Sequence, residues 1–266
     1  HPTGHLRGVG AFGRVVAAIG RPDLEAQIAS LASFASRLNE LGLTGVIDPG
    51  GMGMDPTAYR ALHELRQRDE LTLRTRLYLM PSQPGSEVEQ LEGYVEHLFP
   101  GFGDELLKVV GMGEILHFGC TDLEGVGPFE ISAEARAQLL EIALLAARNR
   151  WPVHIHAVLP STIDTVLSVW EEAAAQIPLG EARFSLAHAE PISDRDLDRV
   201  AALGAGIAVQ DRMVFRAADS AAFWGEEVFR RSPPLRAIVD RGIPLGGGTD
   251  ATVVSPYDPW RSLWWL

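Results

Sequence analysis

Four side chains suited to metal binding or proton transfer stand in four separate apolar runs of the sequence: Lys108, His156, His188 and Asp250. Two imidazoles, a carboxylate and a lysine in one apolar funnel have the composition of a metal site. If the runs are strands whose ends meet at one mouth, these residues predict a metal centre there.

Each of the four residues also has a structural explanation when it is taken singly. A histidine at a strand end is commonly a hydrogen-bonded polar residue, and Asp250, after GGGT, fits a turn or a cap. Lys108 could pair with Glu114 or with a substrate anion, or could reflect a coding bias toward arginine. The four residues together are stronger evidence for a metal site than any one of them, because four separate runs carry suitable side chains at what we interpret as the same end.

Lys108 is the only lysine among the 23 lysine and arginine residues of the chain, and it stands inside the apolar letters LLKVV. Lysine is almost never fully buried without a partner. A desolvated lysine can lose its proton, whereas arginine cannot. The neutral amine can react with carbon dioxide to form a carbamate, a bidentate anion that can bridge two metal ions. A carboxylated Lys108 is therefore our hypothesis for this position.

The positions of these residues depend on seven apolar runs that alternate with amphipathic stretches of helical period. We interpret the runs as strands, at 42–50, 71–80, 106–114, 152–157, 183–190, 206–210 and 243–250. Most are too continuously apolar to be half-exposed, as expected for a parallel sheet covered by helices. Repeated strand–helix alternation predicts βαβ units, and hence a doubly wound sheet or a (β/α)8 barrel.

The barrel is favoured because polar residues end the runs along the whole chain, and a barrel gathers such residues at one mouth. The segment GVGAFG (8–13) matches the G-x-G-x-x-G pattern, but no clear strand precedes it, so we interpret it as a flexible loop. A barrel needs eight strands. The missing one could lie within residues 1–20 or outside this chain.

Composition narrows the classes of partner. The chain has 266 residues, a net charge of −12 and a pI near 5.1, which argues against nucleic acid or an anionic membrane. No run approaches the roughly 18 apolar residues of a membrane helix. Cys120 is alone, which excludes an internal disulfide and is compatible with a cytoplasmic location. We expect a small-molecule substrate, and a homo-oligomer remains open.

Five segments resemble the amidohydrolase superfamily, specifically amidohydrolase family 3. They are LLKVVGMGE, VHIHA, FSLAHAE, GIAVQDR and PLGGGTDATVVSPYDPW, and the resemblance runs from about residue 2 to the end. Its most specific parts are His156, His188 and Asp250, which follow the family's order. The resemblance implies a (β/α)8 TIM barrel that binds one or two divalent metal ions, usually zinc.

The resemblance also implies a role for each residue. Lys108 would be the carboxylated bridge of strand 4, His156 and His188 the ligands of strands 5 and 6, and Asp250 the strand-8 ligand and catalytic residue. The seven runs then become strands 2–8 of an incomplete barrel. His154-Ile155-His156 fits strand 5, so the strand-1 H-x-H is absent. We expect a single barrel domain over 1–266, truncated at both ends and lacking the family's small β domain.

The implied activity is hydrolysis of a C–N bond, in an amide or a cyclic amide, by a metal-activated water. Asp250 would accept a proton from that water and pass it to the leaving nitrogen. Gln210 ends the sixth run, Asp211 and Arg212 follow it, and all three are predicted substrate contacts. No cofactor other than the metal is expected.

Two other functions stay open. A non-catalytic barrel that binds a ligand or a partner is favoured if the chain is complete without the H-x-H. A metal-dependent deaminase of the same superfamily is weakened, because AVLPST follows His156 where that class has a HAGE-like run with a catalytic glutamate. Metal content separates an enzyme from a bare binding module.

Overall fold

The computed structural model describes residues 4, 14–15, 17–20, 22–50, 56–123, 125, 127–252 and 255–266. The GVGAFG segment and most of residues 1–20 lie outside this part of the chain. The strands are β1 (Gly45–Asp48), β2 (Arg74–Leu79), β3 (Leu107–Glu114), β4 (Val153–Ala157), β5 (Phe184–His188), β6 (Gly206–Gln210) and β7 (Leu245–Gly248). The seven predicted runs are thus confirmed as strands.

Helices separate the strands along the chain. They are α1 (Leu24–Glu40), α2 (Arg60–Gln67), α3 (Glu87–His97), α4 (Ala133–Arg148), α5 (Pro160–Ala174), α6 (Asp194–Ala202), α7 (Met213–Trp224), α8 (Glu226–Arg230), α9 (Leu235–Asp240) and α10 (Pro259–Trp265). Side-chain caps begin several of them: Ser132 accepts from the Ala135 N–H and Ser193 from the Asp196 N–H. Among the helices of the described residues, none has both the length and the apolar character needed to cross a membrane.

All strands pair in parallel, and their order in the sheet is their order in the sequence, from β1 to β7. Each strand is followed by a helix and then by the strand that pairs beside it. Repetition of this right-handed connection curls the sheet and places the helices on its outer face. Within the described residues, β1 and β7 are not paired to each other. The architecture is therefore the predicted incomplete (β/α)8 barrel.

The main core lies between the central strands and helices α4 and α5. The buried stripes of these helices follow the helical period, as the sequence predicts: Leu139, Ile142, Ala143 and Ala146 in α4, and Ile163, Val166, Leu167 and Trp170 in α5. The Trp170 ring packs edge-on against Phe184 of β5, with centroids 5.3 Å apart. Each large side chain buried in this way contributes about 1.5–3 kcal/mol, so the central strands are firmly held.

The two outer strands are far less covered. Ile47 of β1 is 67% exposed and Leu245 of β7 is 39% exposed, whereas Ile155 of β4 and Leu186 of β5 are buried. The difference follows from position, since a central strand has a paired neighbour on both sides and an outer strand has only one. Side chains at the ends of β3, β4 and β5 are consequently better fixed than those that follow β7.

Candidate metal centre

The carboxyl ends of parallel strands meet at one rim, and polar side chains line this rim in the described residues. They are Asp48 at the end of β1, Glu114 at the end of β3, His156 next to the last residue of β4, His188 at the end of β5, Gln210 at the end of β6 and Asp250 just after β7. Ligand and active sites of barrels lie at this edge.

Three of these side chains are in direct contact. Glu114 Oε1 lies 2.6 Å from His156 Nδ1 and 2.8 Å from His188 Nε2. The two imidazole rings meet edge-on, with centroids 4.5 Å apart. One oxygen and two nitrogens from three neighbouring strands therefore lie within 4.8 Å of one another, which is close enough to share one metal ion.

Glycine brings Glu114 to this position. A Cβ on Gly113 would overlap the backbone carbonyl oxygen of His154 on β4, and the φ of Gly113 is positive. The missing side chain thus lets the end of β3 approach β4 closely. The same approach places the Glu114 carboxylate beside His156.

The charges of the group support one another. Burial raises the pKa of Glu114, but hydrogen bonds from His156 and His188 outweigh burial and hold that pKa well below its usual range. Burial lowers the pKa of His156, yet the carboxylates of Asp122 and Glu114 raise it to about 10. The site therefore stabilises a cation next to Glu114, either as a protonated imidazole or as a metal ion.

His156 is held from its far side by the loop that follows β3. Its Nε2 lies 2.6 Å from the Leu123 carbonyl oxygen and 3.1 Å from Asp122 Oδ1. A carbonyl oxygen can only accept, so Nε2 carries a proton and donates it. The Nδ1 atom is thus the one directed at Glu114.

His188 is held less completely. Its Nε2 faces Glu114, while Nδ1 is buried and has no hydrogen-bond partner among the described residues. The backbone of His188 is left-handed, with φ of 70°, and that of Ala189 is too, with φ of 49°. Such conformations cost about 1–3 kcal/mol each in non-glycine residues and concentrate at functional sites.

The donor set fits a divalent transition metal. A carboxylate oxygen and two imidazole nitrogens are ligands that zinc accepts, and three protein ligands leave a further position for water or substrate. His156 donates its other ring N–H to a carbonyl and a carboxylate, as metal-binding histidines generally do. The residues at this rim would therefore hold such an ion without rearrangement of the fold.

Lys108 does not lie with this group, so the structure does not bring together all four residues that the sequence predicted to meet. Lys108 is the second residue of β3 and pairs in register with Arg76 of β2. It precedes Glu114 by a length of strand that corresponds to about 20 Å. Its ammonium lies at the opposite end of the sheet, 2.9 Å from Glu105 Oε1. The strand-end residue of β3 is Glu114, whose carboxylate lies where the lysine was expected to offer an anionic group.

Asp250, predicted as a ligand, lies on the same rim but is not one of the three residues whose donor atoms converge. The residue is exposed, yet the protein around its carboxyl removes enough water to raise the pKa, and the nearby charges of His188 and Glu114 shift it in opposite directions. Its backbone is left-handed, with φ of 54°. Asp250 is thus close enough to Glu114, His156 and His188 for their charges to act on its carboxyl.

The three predicted substrate contacts differ in their surroundings. Arg212 and Glu190 form a buried ion pair with contacts of 2.6 and 3.0 Å. Burial raises the pKa of Glu190, but the charge of Arg212 outweighs it and lowers the pKa. Asp211 is fully buried, and neither its carboxylate oxygens nor Gln210 Oε1 has a hydrogen-bond partner among the described residues. Arg212 is therefore occupied by the protein, whereas Gln210 and Asp211 keep unused acceptors.

Sequence reasoning did not select Glu114, Asp48 or Asp122 as site residues. The position of Glu114 in the sequence could have indicated its role, because it is the last residue of its run. His188 likewise lies near the end of its run. Asp48 likewise ends its strand, and its pKa is raised by burial and by the charge of Glu114, against a hydrogen bond from Gly50. Asp122 lies in a loop, where neither periodicity nor strand position indicates a role.

A known protein family matches the chain over its full length. The family model, described as "Amidohydrolase family", matches residues 1–266. The chain belongs to the amidohydrolase family. The resemblance deduced from the sequence is thereby confirmed. No curated protein matches the sequence.

Solved structures share the fold of this chain. An uncharacterized metal-dependent hydrolase from Pyrococcus furiosus superposes with a TM-score of 0.72 at 21% identity, covering 97% of this chain and 53% of that one. One from Pyrococcus horikoshii gives 0.68 at 22% identity, covering 94% and 50%. A mutant of atrazine chlorohydrolase from Arthrobacter aurescens, complexed with zinc and atraton, gives 0.58 at 17% identity, covering 97% and 57%. The chain thus spans about half the length of these structures.

Proposed function

We propose that this amidohydrolase chain carries the metal-binding core of a hydrolase that cleaves a C–N bond in a small amide or cyclic amide. The observation that carries the proposal is the convergence of Glu114, His156 and His188 within 4.8 Å at the rim of the sheet. Family membership supports a hydrolase, and the neighbours include metal-dependent hydrolases and a chlorohydrolase solved with zinc.

Glu114, His156 and His188 would hold one divalent ion, and zinc fits the ligand types best. When bound, such an ion polarises a carbonyl and lowers the pKa of water toward neutrality. The negative charge of Glu114 and the neutral form of the two imidazoles are the states that binding requires. The protein already stabilises the first, since the pKa of Glu114 is held low.

Asp250 has the position and the charge to move the proton. As a carboxylate it accepts a proton from the attacking water while the oxygen forms its bond to the carbonyl carbon. It then donates this proton to the departing nitrogen as the C–N bond breaks. The raised pKa of Asp250 brings its carboxyl closer to the range in which it can both accept and return a proton.

Gln210 and Asp211 are the proposed substrate contacts. Both offer buried acceptor oxygens that lack partners among the described residues, and a buried acceptor without a partner is costly unless something satisfies it. N–H groups of an amide substrate are suitable donors. Arg212 supports these contacts indirectly, because its ion pair with Glu190 fixes the turn that carries Asp211.

The proposal is tested by metal analysis and an amide-hydrolysis screen on the same preparations. We expect the wild-type chain to purify with about one divalent ion per chain and to release amines from some members of an amide and cyclic-amide panel. Glu114→Gln should lose the metal and the activity. Glu105→Gln makes the same chemical change in the exposed partner of Lys108, near the other end of β3, and should lose neither.

Two outcomes contradict the proposal. A wild-type chain that binds no divalent ion, even when zinc is supplied in excess, is a binding module and not this hydrolase. A chain that binds zinc and deaminates aminated heterocycles while it leaves every amide intact assigns the site to the deaminase alternative.

A further inference from the structure

The loop that follows β3 carries a buried carboxylate, Asp122, which contacts the His156 ring on the side that faces away from Glu114. The Asp122 side chain is fully buried. Its oxygens accept hydrogen bonds from the backbone N–H groups of Val158 and Leu159, at 2.6 Å in the shortest case. Those two residues follow β4 directly, so Asp122 ties this loop to the strand that carries His156.

Asp122 also touches the imidazole itself. Its Oδ1 lies 3.1 Å from His156 Nε2, next to the Leu123 carbonyl oxygen at 2.6 Å. The single Nε2 proton is therefore shared between a carbonyl and a carboxylate. Burial raises the pKa of Asp122, but its hydrogen bonds outweigh burial and keep the pKa lowered, so the group is a carboxylate.

The backbone of the loop is bent to make this contact. Leu123 has a φ of 50°, a left-handed conformation that is uncommon for a large side chain, and its side chain is exposed. Apolar burial therefore does not explain the bend. The bend turns the Leu123 carbonyl toward His156. Further along the loop, the Trp224 indole of α7 donates a hydrogen bond to the Gly125 carbonyl.

We propose that Asp122 is a positioning residue for His156: with the Leu123 carbonyl, it holds the Nε2–H form of the ring so that Nδ1 is presented to the ion. The proposal rests on the metal site proposed above. It assigns to Asp122 no contact with substrate or ion. Carboxylates that accept from the second nitrogen of a metal-binding histidine fix its orientation and raise its basicity, and their loss costs about 10–100-fold in metal affinity.

The test compares Asp122→Asn with the wild-type chain. The asparagine side chain can still accept from Val158 or Leu159 with its oxygen, but its amide then presents N–H groups to His156. We expect zinc affinity, measured by chelator competition, to fall by about 10–100-fold. In a long-range ¹H–¹⁵N spectrum of the zinc-loaded chain, His156 should lose the single Nε2–H signature that the wild type shows.

A matched control separates positioning from general loss of stability. Asp196 is another buried aspartate, and it forms part of the cap of α6 without any contact with the metal centre. Asp196→Asn should lower the thermal midpoint but leave zinc affinity and the His156 spectrum as in the wild type. If it weakens zinc as much as Asp122→Asn does, the positioning role is overturned.

The outcomes also separate this inference from the proposed function. If the wild type binds no zinc, the metal site itself fails. If the wild type binds zinc and Asp122→Asn binds it within threefold, with an unchanged His156 spectrum, only the role of Asp122 fails. Should the variant not fold, the wild-type spectrum still decides: a zinc-loaded His156 protonated at Nδ1 overturns the inference, and one protonated at Nε2 supports it.

Discussion

The two ends of β3 carry opposite charges and have opposite surroundings. At its amino end, Lys108 extends to Glu105, whose side chain is 88% exposed, in a contact that water largely screens. At its carboxyl end, Glu114 is enclosed by two imidazoles and its pKa is held well below the usual range. The comparison teaches that the position of a residue along a barrel strand decides its chemistry more than the rarity of its type does.

Replacement at the carboxyl end should have the largest effect. Glu114→Gln removes the only anionic ligand of the triad while its shape is preserved. Because loss of a supporting residue already costs about 10–100-fold in metal affinity, loss of this ligand should exceed about 100-fold and abolish hydrolysis. Isothermal titration with zinc measures the change, and near-wild-type affinity would remove Glu114 from the site.

The variant Asp250→Asn distinguishes a residue of the rim that transfers a proton from one that binds the metal. If Asp250 transfers the proton and is not one of the ligands, zinc affinity should change by less than about threefold while kcat falls by about 100-fold or more. Parallel measurements of zinc content and amide hydrolysis check this. A variant that loses zinc together with activity would instead make Asp250 a ligand.

Stability and zinc affinity should both depend on pH through His156 at the rim. The pKa of His156 is raised to about 10, above its value in an unfolded chain. In the metal-free chain, this stabilisation is fully present below about pH 6.5 and is lost as pH rises through about 10. Zinc competes with the second ring proton, on the Nδ1 atom that faces Glu114, so its affinity should rise by up to about tenfold per pH unit across that window. Chemical unfolding of the metal-free chain and zinc titrations from pH 7 to 10 test both trends. If stability and zinc affinity change in the same direction as pH rises, the account is contradicted.

Lys108→Arg should have the smallest effect. Arginine keeps the charge that faces Glu105, and an exposed pair of this kind contributes about 0–1 kcal/mol. Zinc content, activity and thermal midpoint should all stay close to the wild type. Loss of zinc in this variant, shown by elemental analysis, would restore the carboxylated-lysine hypothesis.

The sequence predicted the scaffold well because the scaffold follows from periodicity. Continuous apolar runs identified the seven strands, and the amphipathic stretches of helical period between them identified the helices. The same logic placed His156 and His188 on one rim, since parallel strands align their carboxyl ends.

The rest of the site could not be read from the same pattern. Lys108 was selected for its rarity, although it stands third in its run and Glu114 stands last. Asp122 acts from a loop, through contacts with backbone N–H groups beyond β4. Such contacts depend on the closure of two loops in space, which no local spacing encodes.

The most direct test of the central claim is anomalous X-ray scattering at the zinc edge from crystals of the zinc-loaded chain. The account predicts a peak about 2.0–2.2 Å from Glu114 Oε1, His156 Nδ1 and His188 Nε2. A peak beside the Lys108 side chain, or no peak at the rim, would contradict it.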